Sequence, residues 1–474
     1  MTRVPAAALE RRAWARVQRL VLVAAAVAAA CASPKVGDRP PNVVILLADD
    51  LGWRDVGYHG GNIPTPSIDR LAVEGVRLER FYTAPMCSPT RAGLLTGRYP
   101  LRFGMMRSVI TPWSRYGLPA SEKTLGEMLG EAGYTRRAMV GKWHLGHASR
   151  EFHPLRQGFT HFYGHFNGAL GYFSHLCLGE LDWHRDFEAS HDEGYTTDLV
   201  AREAVRHVEA AAAADETFFL YVAFNAPHRP FAAKPEDLEK YEEREGPRRT
   251  YAAMVDSLDQ AIGRILGALD TTHVAARTLV LFASDNGADQ PGDNRPLRGE
   301  KSTVYEGAIR VPAVVRWPEG IRGGREVDAL TGYIDVYPTL KRIAGLTGPD
   351  PNPLDGRDML DVLRGEVGAP RRAWFSMFAR SEREQVALTR KPWKLIVQGP
   401  SVLERGALRS ARIALYDVWD DPGERKDVAA SHPETVRDLF VVLRTFRAQQ
   451  VPGVGAFQDG HEGFEAPPDW EEED

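Results

Sequence analysis

Two pairs of polar residues each follow a continuous apolar run that has the length of a strand. Asp49 and Asp50 come directly after the first run, and Asp285 and Asn286 follow the second. If both runs are strands of one parallel sheet, these residues lie beyond the carboxyl ends, where such sheets bind ligands. Three carboxylates and an amide suit a hard cation such as calcium or magnesium and would bind zinc poorly. Either pair alone could form a turn, but together they predict a metal site.

A cysteine that could act as a nucleophile opens the stretch Cys-Ser-Pro-Thr-Arg-Ala-Gly-Leu-Leu-Thr-Gly at 87–97. Ser88 as N-cap and Pro89 at the first helical position would begin a helix, which places Cys87 at its N-terminus. That position lowers the pKa of a thiol and would allow a thiolate nucleophile. A soft thiolate matches a hard cation and carboxylates poorly, so an oxygen nucleophile would fit better. The plain alternative is a buried, inert cysteine.

The elements that must position these residues alternate between strand-like and helical runs. The strand-like runs lie at 43–48, 137–140, 218–224, 278–283 and 311–316. The helical runs lie at 65–74, after Cys87, and near 121–132, 196–213 and 250–269. Thr65 is the predicted N-cap of the first helix, with Pro66 as its first residue. This alternation predicts an α/β fold with a parallel sheet covered by helices on both faces.

The pattern changes at about Arg371, where short β-like runs replace the alternation. They lie at 374–378, 386–389 and 393–397 and are followed by a helix near 433–448. We therefore expect a larger catalytic domain over 42–370 and a smaller antiparallel domain over 371–474. The acidic tail from Glu471 is interpreted as a solvated end.

Length and composition agree with this division and limit the classes of function. The chain has 474 residues, of which 43% are hydrophobic and 26% charged. Because single cores stop growing at about 250–300 residues, two globular domains are expected. The net charge is −5 with both signs mixed along the chain, so no basic face for a nucleic-acid partner is evident.

The first 31 residues form a predicted export signal. Five arginines precede an apolar run at 20–30 that is too short to span a bilayer. The run ends Val-Ala-Ala-Ala-Cys at Cys31, which resembles a bacterial lipobox, so Cys31 is a candidate for lipidation and membrane anchoring. The alternative is ordinary cleavage after Ala30 with Cys31 incidental. Either reading predicts a periplasmic or cell-surface protein, with residues 32–41 as a linker.

Cysteine usage fits an exported protein without a disulfide framework, because the chain has only three cysteines. If Cys31 is lipidated and Cys87 is chemically converted, Cys177 has no partner. We expect Cys177 to be buried and inert.

The pattern Cys-x-Pro-x-Arg from Cys87 to Arg91 resembles the signature of the type I, formylglycine-dependent sulfatases. Five further sequence blocks resemble blocks of the same family and follow one another in the order expected for it. They are Gly-Lys-Trp-His-Leu-Gly at 141–146, Asn-Ala-Pro-His at 225–228, Ser-Asp-Asn-Gly at 284–287, Arg-Gly-Glu-Lys at 298–301, and Leu-Tyr-Asp with Asp-Pro-Gly-Glu at 415–424. The resemblance runs from about 41 to 428. The segment 153–175 resembles the arylsulfatase B branch, which removes 4-sulfate from N-acetylgalactosamine ends.

This resemblance implies an alkaline-phosphatase-like fold: a mixed, mostly parallel sheet flanked by helices, with a smaller C-terminal antiparallel α+β domain. It also implies that a maturation enzyme oxidises Cys87 to formylglycine, whose hydrate supplies the attacking oxygen. Thr90 stands where many members have serine, which concerns the maturation enzyme more than the nucleophile. The expected substrate is a sulfated small molecule or glycan.

The resemblance assigns a role to each remaining site residue. Calcium, rather than magnesium, would be held by Asp49, Asp50, Asp285, Asn286 and the modified Cys87. Two residues would act as bases: Asp285 would assist the attacking hydroxyl, and His144 would take the proton that starts elimination. His228 and Lys301 would stabilise or protonate the leaving oxygen, and Arg91 and Lys142 would hold the hydrate and the sulfate.

Two other functions compete with a sulfatase. A phosphodiesterase or phosphonate monoester hydrolase of the same superfamily could share the cysteine motif. A lipoprotein that only binds sulfated glycans could carry the same fold with a dead site. Such a protein would have lost Cys87, a metal-binding aspartate or His144, and all of these are present.

Overall fold

The computed structural model describes residues 39–404, 406–458 and 460–472. The chain divides into Met1–Arg39 and Pro40–Asp474, and the description below concerns the second unit. The predicted export signal over 1–31, the lipidation candidate Cys31 and most of the linker lie outside the described residues. Within the part that is described, no helix is both long and apolar enough to cross a membrane.

Nineteen strands are present in the described residues. They are β1 Asn42–Ala48, β2 Val76–Leu78, β3 Phe81–Tyr82, β4 Arg136–Lys142, β5 His161–His165, β6 Leu176–Cys177, β7 Glu180–Leu181, β8 His184–Arg185, β9 Glu188–Ala189, β10 Phe218–Ala223, β11 Thr278–Ser284, β12 Arg310–Val311, β13 Ala313–Arg316, β14 Arg325–Val327, β15 Thr331–Gly332, β16 Trp374–Arg380, β17 Arg383–Arg390, β18 Trp393–Gly399 and β19 Arg412–Asp417.

The α-helices of the same residues flank and connect these strands. They are α1 Pro66–Glu74, α2 Cys87–Thr96, α3 Leu125–Glu131, α4 Thr196–Ala213, α5 Pro235–Glu239, α6 Gly246–Thr271, α7 Glu306–Ile309, α8 Val336–Ile343, α9 Leu360–Arg364, α10 Ala407–Ser410 and α11 Pro433–Arg447.

The main sheet is mixed, with a parallel centre. Its ten strands lie in the order β14-β2-β13-β11-β1-β10-β4-β5-β8-β9. The neighbours from β11 through β1, β10 and β4 to β5 all pair in parallel, whereas β13 and β8 pair antiparallel at the two sides. All seven residues of β1 are buried, as expected for a strand covered on both faces. The predicted mixed, mostly parallel α/β fold is confirmed.

The run at 311–316 does not form one parallel strand. The chain breaks at Pro312: Arg310–Val311 joins a separate three-stranded sheet, and Ala313–Arg316 pairs antiparallel with β11. Proline has no backbone N–H to donate to a strand ladder, which explains the break. The predicted single strand at this position is therefore wrong.

The predicted helices are present, with corrections at their ends. Helix α1 begins at Pro66 after the N-cap Thr65, as predicted. Helix α2 begins at Cys87 with Met86 as N-cap, so the expectation that Ser88 caps it is wrong. The Ser88 hydroxyl instead accepts a hydrogen bond from the Ile110 amide at 3.0 Å. Cys87 is still the first residue of its helix.

The C-terminal region contains a separate antiparallel sheet in the order β16-β17-β18-β19, with α11 packed against it. A buried ion-pair cluster ties this sheet to the rest of the unit: Lys394 of β18 lies 2.9 Å from Glu306 and 3.0 Å from Glu424. The predicted smaller antiparallel α+β region is confirmed. The chain end returns to the main body, because the buried Trp470 donates to the Cys177 carbonyl at 3.2 Å.

The acidic tail is only partly exposed to solvent. Glu471 is exposed, as predicted. Glu472 is half-buried, and burial raises its pKa to about 8. Cys177 is buried and unpaired, in agreement with its predicted role.

Candidate active site

The candidate site is built where three parallel strands end. The Asp285 amide donates to the Ala48 carbonyl at 3.0 Å, and the Asp49 amide donates to the Ala226 carbonyl at 3.0 Å. The residues that follow β1, β10 and β11 are thereby held at one edge of the sheet, the ligand edge of such folds. Asp49, Asp285 and Asn286 are buried there.

Asp50 turns its side chain toward the residues beyond β11. Its φ of 65° lies in the left-handed region, which aspartate tolerates better than most residues. One Asp50 oxygen accepts a 2.6 Å hydrogen bond from the Asn286 amide, and the other accepts one from the Lys301 ammonium at 2.8 Å. The two acidic strand ends are thus joined directly.

Cys87 faces these strand ends from the first residue of α2. The Cys87 sulfur and one carboxylate oxygen each of Asp49 and Asp285 all lie within 4.8 Å of one another. The turn before the helix is closed by Thr90, whose hydroxyl accepts from the Ala84 amide at 3.0 Å. Burial raises the pKa of the Cys87 thiol, so the lowering expected at a helix N-terminus is outweighed. The unmodified side chain is therefore a neutral thiol here.

Two buried cations face the carboxylates. Lys142 Nζ lies 2.5 Å from Asp49 Oδ2. Arg91 donates to Asp285 Oδ2 from Nε at 3.0 Å and Nη2 at 2.7 Å, and from Nη1 to the Lys142 carbonyl at 2.8 Å. Arg91 therefore connects α2, the end of β4 and the end of β11 in one hydrogen-bonded network.

A glycine at the end of β4 allows the close strand approach that positions Lys142. Gly141 has a φ of 105°, and a Cβ added there would lie 2.0 Å from the Ala223 carbonyl oxygen of β10. Any other residue would separate β4 from β10. The next residue, Lys142, would then lose its position beside Asp49.

The pKa values of two neighbouring acids are shifted in opposite directions. Burial and the nearby Asp49 charge raise the pKa of Asp285 to about 6. Burial acts in the same direction on Asp50, but the Lys301 and His228 charges outweigh it and hold the Asp50 pKa well below its usual range. Among these protein groups, Asp285 is thus the acid better suited to bind a proton near neutral pH.

His144 is held in one tautomer. Its Nε2 lies 2.9 Å from the Ile110 carbonyl, which can only accept, so Nε2 carries the proton. The other ring nitrogen, Nδ1, is buried without a partner and keeps its lone pair. Burial and the charges of Lys142 and Arg91 hold the pKa of His144 well below its usual value. His144 is therefore a neutral imidazole with a free acceptor.

Gly168 leaves room for this imidazole. A Cβ at Gly168 would lie 2.7 Å from both Cε1 and Nε2 of His144. Only a glycine fits beside the ring in its present position.

His228 and Lys301 both approach the Asp50 carboxylate. His228 Nε2 is 3.6 Å from Asp50 Oδ2, and its Nδ1 lies 2.5 Å from the Arg229 carbonyl. Burial and the Lys301 charge lower the pKa of His228. The Lys301 pKa is raised, because the Asp50 charge outweighs burial. Lys301 is the cationic member of this pair.

Several oxygens at the strand ends are available for a cation. Asp49 Oδ1 and Asn286 Oδ1 are buried without a hydrogen-bond partner. Ligand atoms of Asp49 and Asp50 also lie within 4.8 Å of one another. Buried polar atoms normally find partners, and an oxygen-only set matches hard divalent cations. The residues present therefore fit a calcium ion.

An open cleft of about 610 Å³ leads to this centre, a volume in the range of small-ligand sites. Cys87, His144, His228 and Lys301 all reach it. Its walls come from the segments 109–113 and 167–178, and from the C-terminal region through Arg380 and Phe457.

The structure brings together all ten site residues predicted from the sequence within the described unit. They are Asp49, Asp50, Cys87, Arg91, Lys142, His144, His228, Asp285, Asn286 and Lys301. Sequence reasoning assigned no role to Asn167, whose Oδ1 is buried without a partner beside His144. Its place in the segment 153–175, next to Gly168, was the available signal. Arg380 and Phe457 were missed because they are distant in sequence from every motif.

Family comparisons cover most of the chain. The family model described as Sulfatase matches residues 41–346. A second model, described as N-sulphoglucosamine sulphohydrolase, C-terminal, matches residues 299–443.

Individual proteins and a solved structure are similar to this chain over most of its length. Arylsulfatase J of Mus musculus is 32% identical over 463 residues, covering 88% of this chain and 77% of that protein. N-acetylgalactosamine-6-sulfatase of Canis lupus familiaris is 37% identical, covering 73% of this chain and 69% of that protein. The crystal structure of Ps i-CgsB in complex with k-i-k-neocarrahexaose has a TM-score of 0.81 at 29% identity and covers 89% of this chain and 96% of that one. These similarities do not single out the arylsulfatase B branch.

Proposed function

Because the chain belongs to the sulfatase family and is a sulfuric ester hydrolase, we propose that it removes sulfate from a sulfated glycan, using a formylglycine made from Cys87. The observation that carries this proposal is the position of Cys87. It is the first residue of α2, it reaches the floor of the cleft, and it faces Asp49 and Asp285. An oxygen nucleophile at that point suits its carboxylate surroundings better than the neutral thiol does.

Calcium would be held by Asp49, Asp50, Asp285 and Asn286, together with the converted Cys87. The unpartnered oxygens of Asp49 and Asn286 support this assignment. When bound, the ion supplies Lewis-acid stabilisation of the sulfate oxygens, and the hydrated formylglycine supplies the attacking hydroxyl.

Two residues move protons in this proposal. Asp285 takes the proton of the attacking hydroxyl, since one of its carboxylate oxygens lies within 4.8 Å of the Cys87 sulfur. His144 takes the second proton, the one that starts elimination, on Nδ1. The hydrogen bond from Nε2 to Ile110 fixes the ring so that Nδ1 keeps its lone pair.

The cationic residues stabilise charge on oxygen. Arg91 and Lys142 orient the hydrate and the transferring sulfate from fixed positions in the buried network. Lys301 and His228, which both reach the cleft, stabilise or protonate the leaving oxygen. Because these groups are already held in place, little reorganisation accompanies the reaction.

A glycan substrate is supported by the similar proteins. One relative is named for N-acetylgalactosamine 6-sulfate, and one similar structure contains a neocarrahexaose. The cleft of about 610 Å³ is large enough for a sugar ring. Two sulfate positions on N-acetylgalactosamine should be compared as substrates. The resemblance of 153–175 implies the 4-sulfate, and the name of the relative gives the 6-sulfate.

The proposal is tested on protein isolated from its native host. Mass spectrometry of the tryptic peptide 81–91 should show conversion of Cys87 to formylglycine. Cys87→Ala should abolish hydrolysis of 4-nitrophenyl sulfate. A peptide that carries only the thiol, or turnover of Cys87→Ala at the wild-type rate, would reject the proposed nucleophile.

Phosphate esters separate a sulfatase from a phosphodiesterase. We expect kcat/KM for 4-nitrophenyl sulfate to exceed that for bis(4-nitrophenyl) phosphate and for a phenylphosphonate monoester. The opposite order would assign the chain to the phosphoester hydrolases of the superfamily. Binding of a sulfated glycan without turnover of any ester would make it a non-catalytic binder.

Export and anchoring through Cys31 form a separate part of the proposal, which the sequence pattern at 20–31 supports. Metabolic labelling with a palmitate analogue should mark the wild-type protein and leave Cys31→Ala unlabelled. Equal labelling of both would reject Cys31 as the lipidated residue.

A further inference from the structure

A second cleft adjoins the candidate active-site cleft. Its volume is about 590 Å³. Lys301, Ser302 and Arg380 line both clefts and form the boundary between them. A ligand with its reacting group above Cys87 would therefore reach the second cleft by extending past Lys301.

The second cleft is formed largely by the hairpin of β16 and β17, which is fixed to the main body. The Ala379 amide donates to the Arg107 carbonyl at 3.0 Å, next to the segment that forms one wall of the first cleft. The Phe457 amide donates to the Ala379 carbonyl, also at 3.0 Å. The Arg380 guanidinium lies 5.7 Å from the centre of the Phe457 ring. These contacts fix the base of the hairpin beside the active-site cleft.

The tip of the hairpin carries an exposed arginine that lines the second cleft. Arg383 pairs with Arg380 across the hairpin and is exposed. Over the described part of the chain, the Arg383 guanidinium has no ion pair and no hydrogen bond. The cleft therefore contains a cation that can bind an anion from solution.

The one carboxylate that lines the second cleft is already neutralised. Glu384 is buried, with Oε2 at 2.9 Å from Arg447 and Oε1 accepting from the Val402 amide at 2.7 Å. Both carboxylate oxygens of Glu384 therefore already have partners. An anionic ligand at Arg383 would thus meet no free carboxylate among the residues that line this cleft.

The floor of the second cleft offers neutral hydrogen-bonding groups. Gln398 donates to the Gln385 carbonyl oxygen at 3.0 Å, an arrangement that leaves the Gln385 amide N–H groups and the Gln398 carbonyl oxygen available. Both side chains are half-buried. Donors and acceptors beside exposed arginines match the hydroxyl and sulfate or carboxylate groups of an acidic sugar ring.

We propose that the second cleft binds the neighbouring acidic ring of a sulfated oligosaccharide, with Arg383 pairing with its sulfate or carboxylate group. The inference rests on the proposed sulfatase function and names its substrate more closely. The enzyme acts on chains of at least two sugar units in preference to small sulfate esters.

The test compares substrates of increasing length. We would measure kcat/KM for 4-nitrophenyl sulfate, for N-acetylgalactosamine 4- and 6-sulfates, and for carrageenan and chondroitin sulfate oligosaccharides of two to six units. The quantity compared is the kcat/KM for the best oligosaccharide divided by the kcat/KM for 4-nitrophenyl sulfate. Its value in the wild type is the reference. Arg383→Ala should lower this ratio about tenfold, the effect of losing one hydrogen bond to a charged group. Arg383→Lys should restore part of it.

Arg390→Ala is the matched control. Arg390 is the last residue of the same strand, β17, is likewise exposed, and lies at the end away from the cleft. This variant should leave the ratio at the wild-type value.

The possible results separate the inference from the function on which it rests. Hydrolysis of sulfate esters with no preference for oligosaccharides, or an unchanged ratio in Arg383→Ala, overturns the second subsite and leaves the sulfatase proposal intact. A wild-type protein that carries formylglycine and hydrolyses none of these esters overturns the proposed function and this inference with it.

Discussion

Lys142 Nζ lies 2.5 Å from Asp49 Oδ2, and both side chains are fully buried. Removing one partner of a buried ion pair leaves an uncompensated charge, which costs about 3–5 kcal/mol. Lys142→Ala should therefore lower the free energy of unfolding by about 3 kcal/mol when calcium is removed with EDTA. If calcium binds at Asp49, it replaces the lost positive charge.

The measurement is urea unfolding of the wild type and Lys142→Ala, with EDTA and with saturating calcium. We expect the difference between the two proteins to shrink when calcium is present. An equal difference under both conditions would show that calcium does not reach Asp49.

Asn286 Oδ1 is buried without a partner, and we expect calcium to bind it. A ligand present at 100 times its dissociation constant adds about 2.7 kcal/mol to the free energy of unfolding. Asn286→Ala should lose about 1.4 kcal/mol of that gain for each tenfold loss in affinity. Unfolding would be followed at several calcium concentrations. Asn352→Ala is the control, because the Asn352 side chain donates to the Ser121 carbonyl and to Glu122, and neither is a proposed calcium ligand. A full calcium response in Asn286→Ala would exclude this residue as a ligand.

The sequence predicted the parts of this site that follow local rules. The apolar runs before Asp49 and Asp285 end at one edge of the sheet, because parallel strands covered on both faces have few other arrangements. Helix α2 begins two residues before the predicted start at Pro89, because Ser88 does not cap it and its hydroxyl instead accepts a hydrogen bond from the Ile110 amide. Pro312 lies inside the run at 311–316, and its missing N–H explains why that run is divided between two sheets.

The remaining features depend on contacts between distant parts of the chain. The wall formed by Arg380 and Phe457 brings together residues that no motif connects, through the contact of Phe457 with Ala379. The raised pKa of Cys87 is also a tertiary effect, because burial outweighs the local influence of the helix end. Neither property has a signal within a short window of sequence.

Gly168 controls the position of His144, and this relationship can be tested without changing a proposed catalytic side chain. A Cβ at Gly168 would lie 2.7 Å from two ring atoms of His144 and would displace the imidazole. Misplacing a catalytic group by about 1 Å can lower the rate about a hundredfold. Gly168→Ala should therefore lower kcat about a hundredfold on 4-nitrophenyl sulfate while formylglycine content stays at the wild-type level.

The control for this substitution is Gly267→Ala. Gly267 lies in α6, and an added Cβ there meets no atom within 4 Å. Wild-type kcat in Gly168→Ala, with His144 still required for activity, would show that the ring has space to move without loss of function.

Lys394 lies between Glu306 and Glu424 and holds the C-terminal sheet against the main body. Burial raises the pKa of Glu424 to about 7, whereas Lys394 outweighs burial at Glu306 and lowers the pKa of that carboxyl. Lys394→Met removes the only cation that contacts both carboxyls among the described residues. We expect it to lower the free energy of unfolding by about 3 kcal/mol at pH 8.

The loss should be smaller at pH 5.5, and the sign follows from proton binding. Without Lys394, we expect burial to hold the pKa of each carboxyl above its value in the unfolded chain. At a pH between the unfolded-state pKa and the folded-state pKa, the folded protein therefore binds more protons than the unfolded chain. Stability then falls as the pH rises through that range. Urea unfolding at pH 5.5 and pH 8 measures the effect. The control is Lys391→Met, at an exposed lysine in the turn between β17 and β18. A loss in Lys394→Met that is equal at both pH values would mean that the two carboxyls do not take up protons when the lysine is absent.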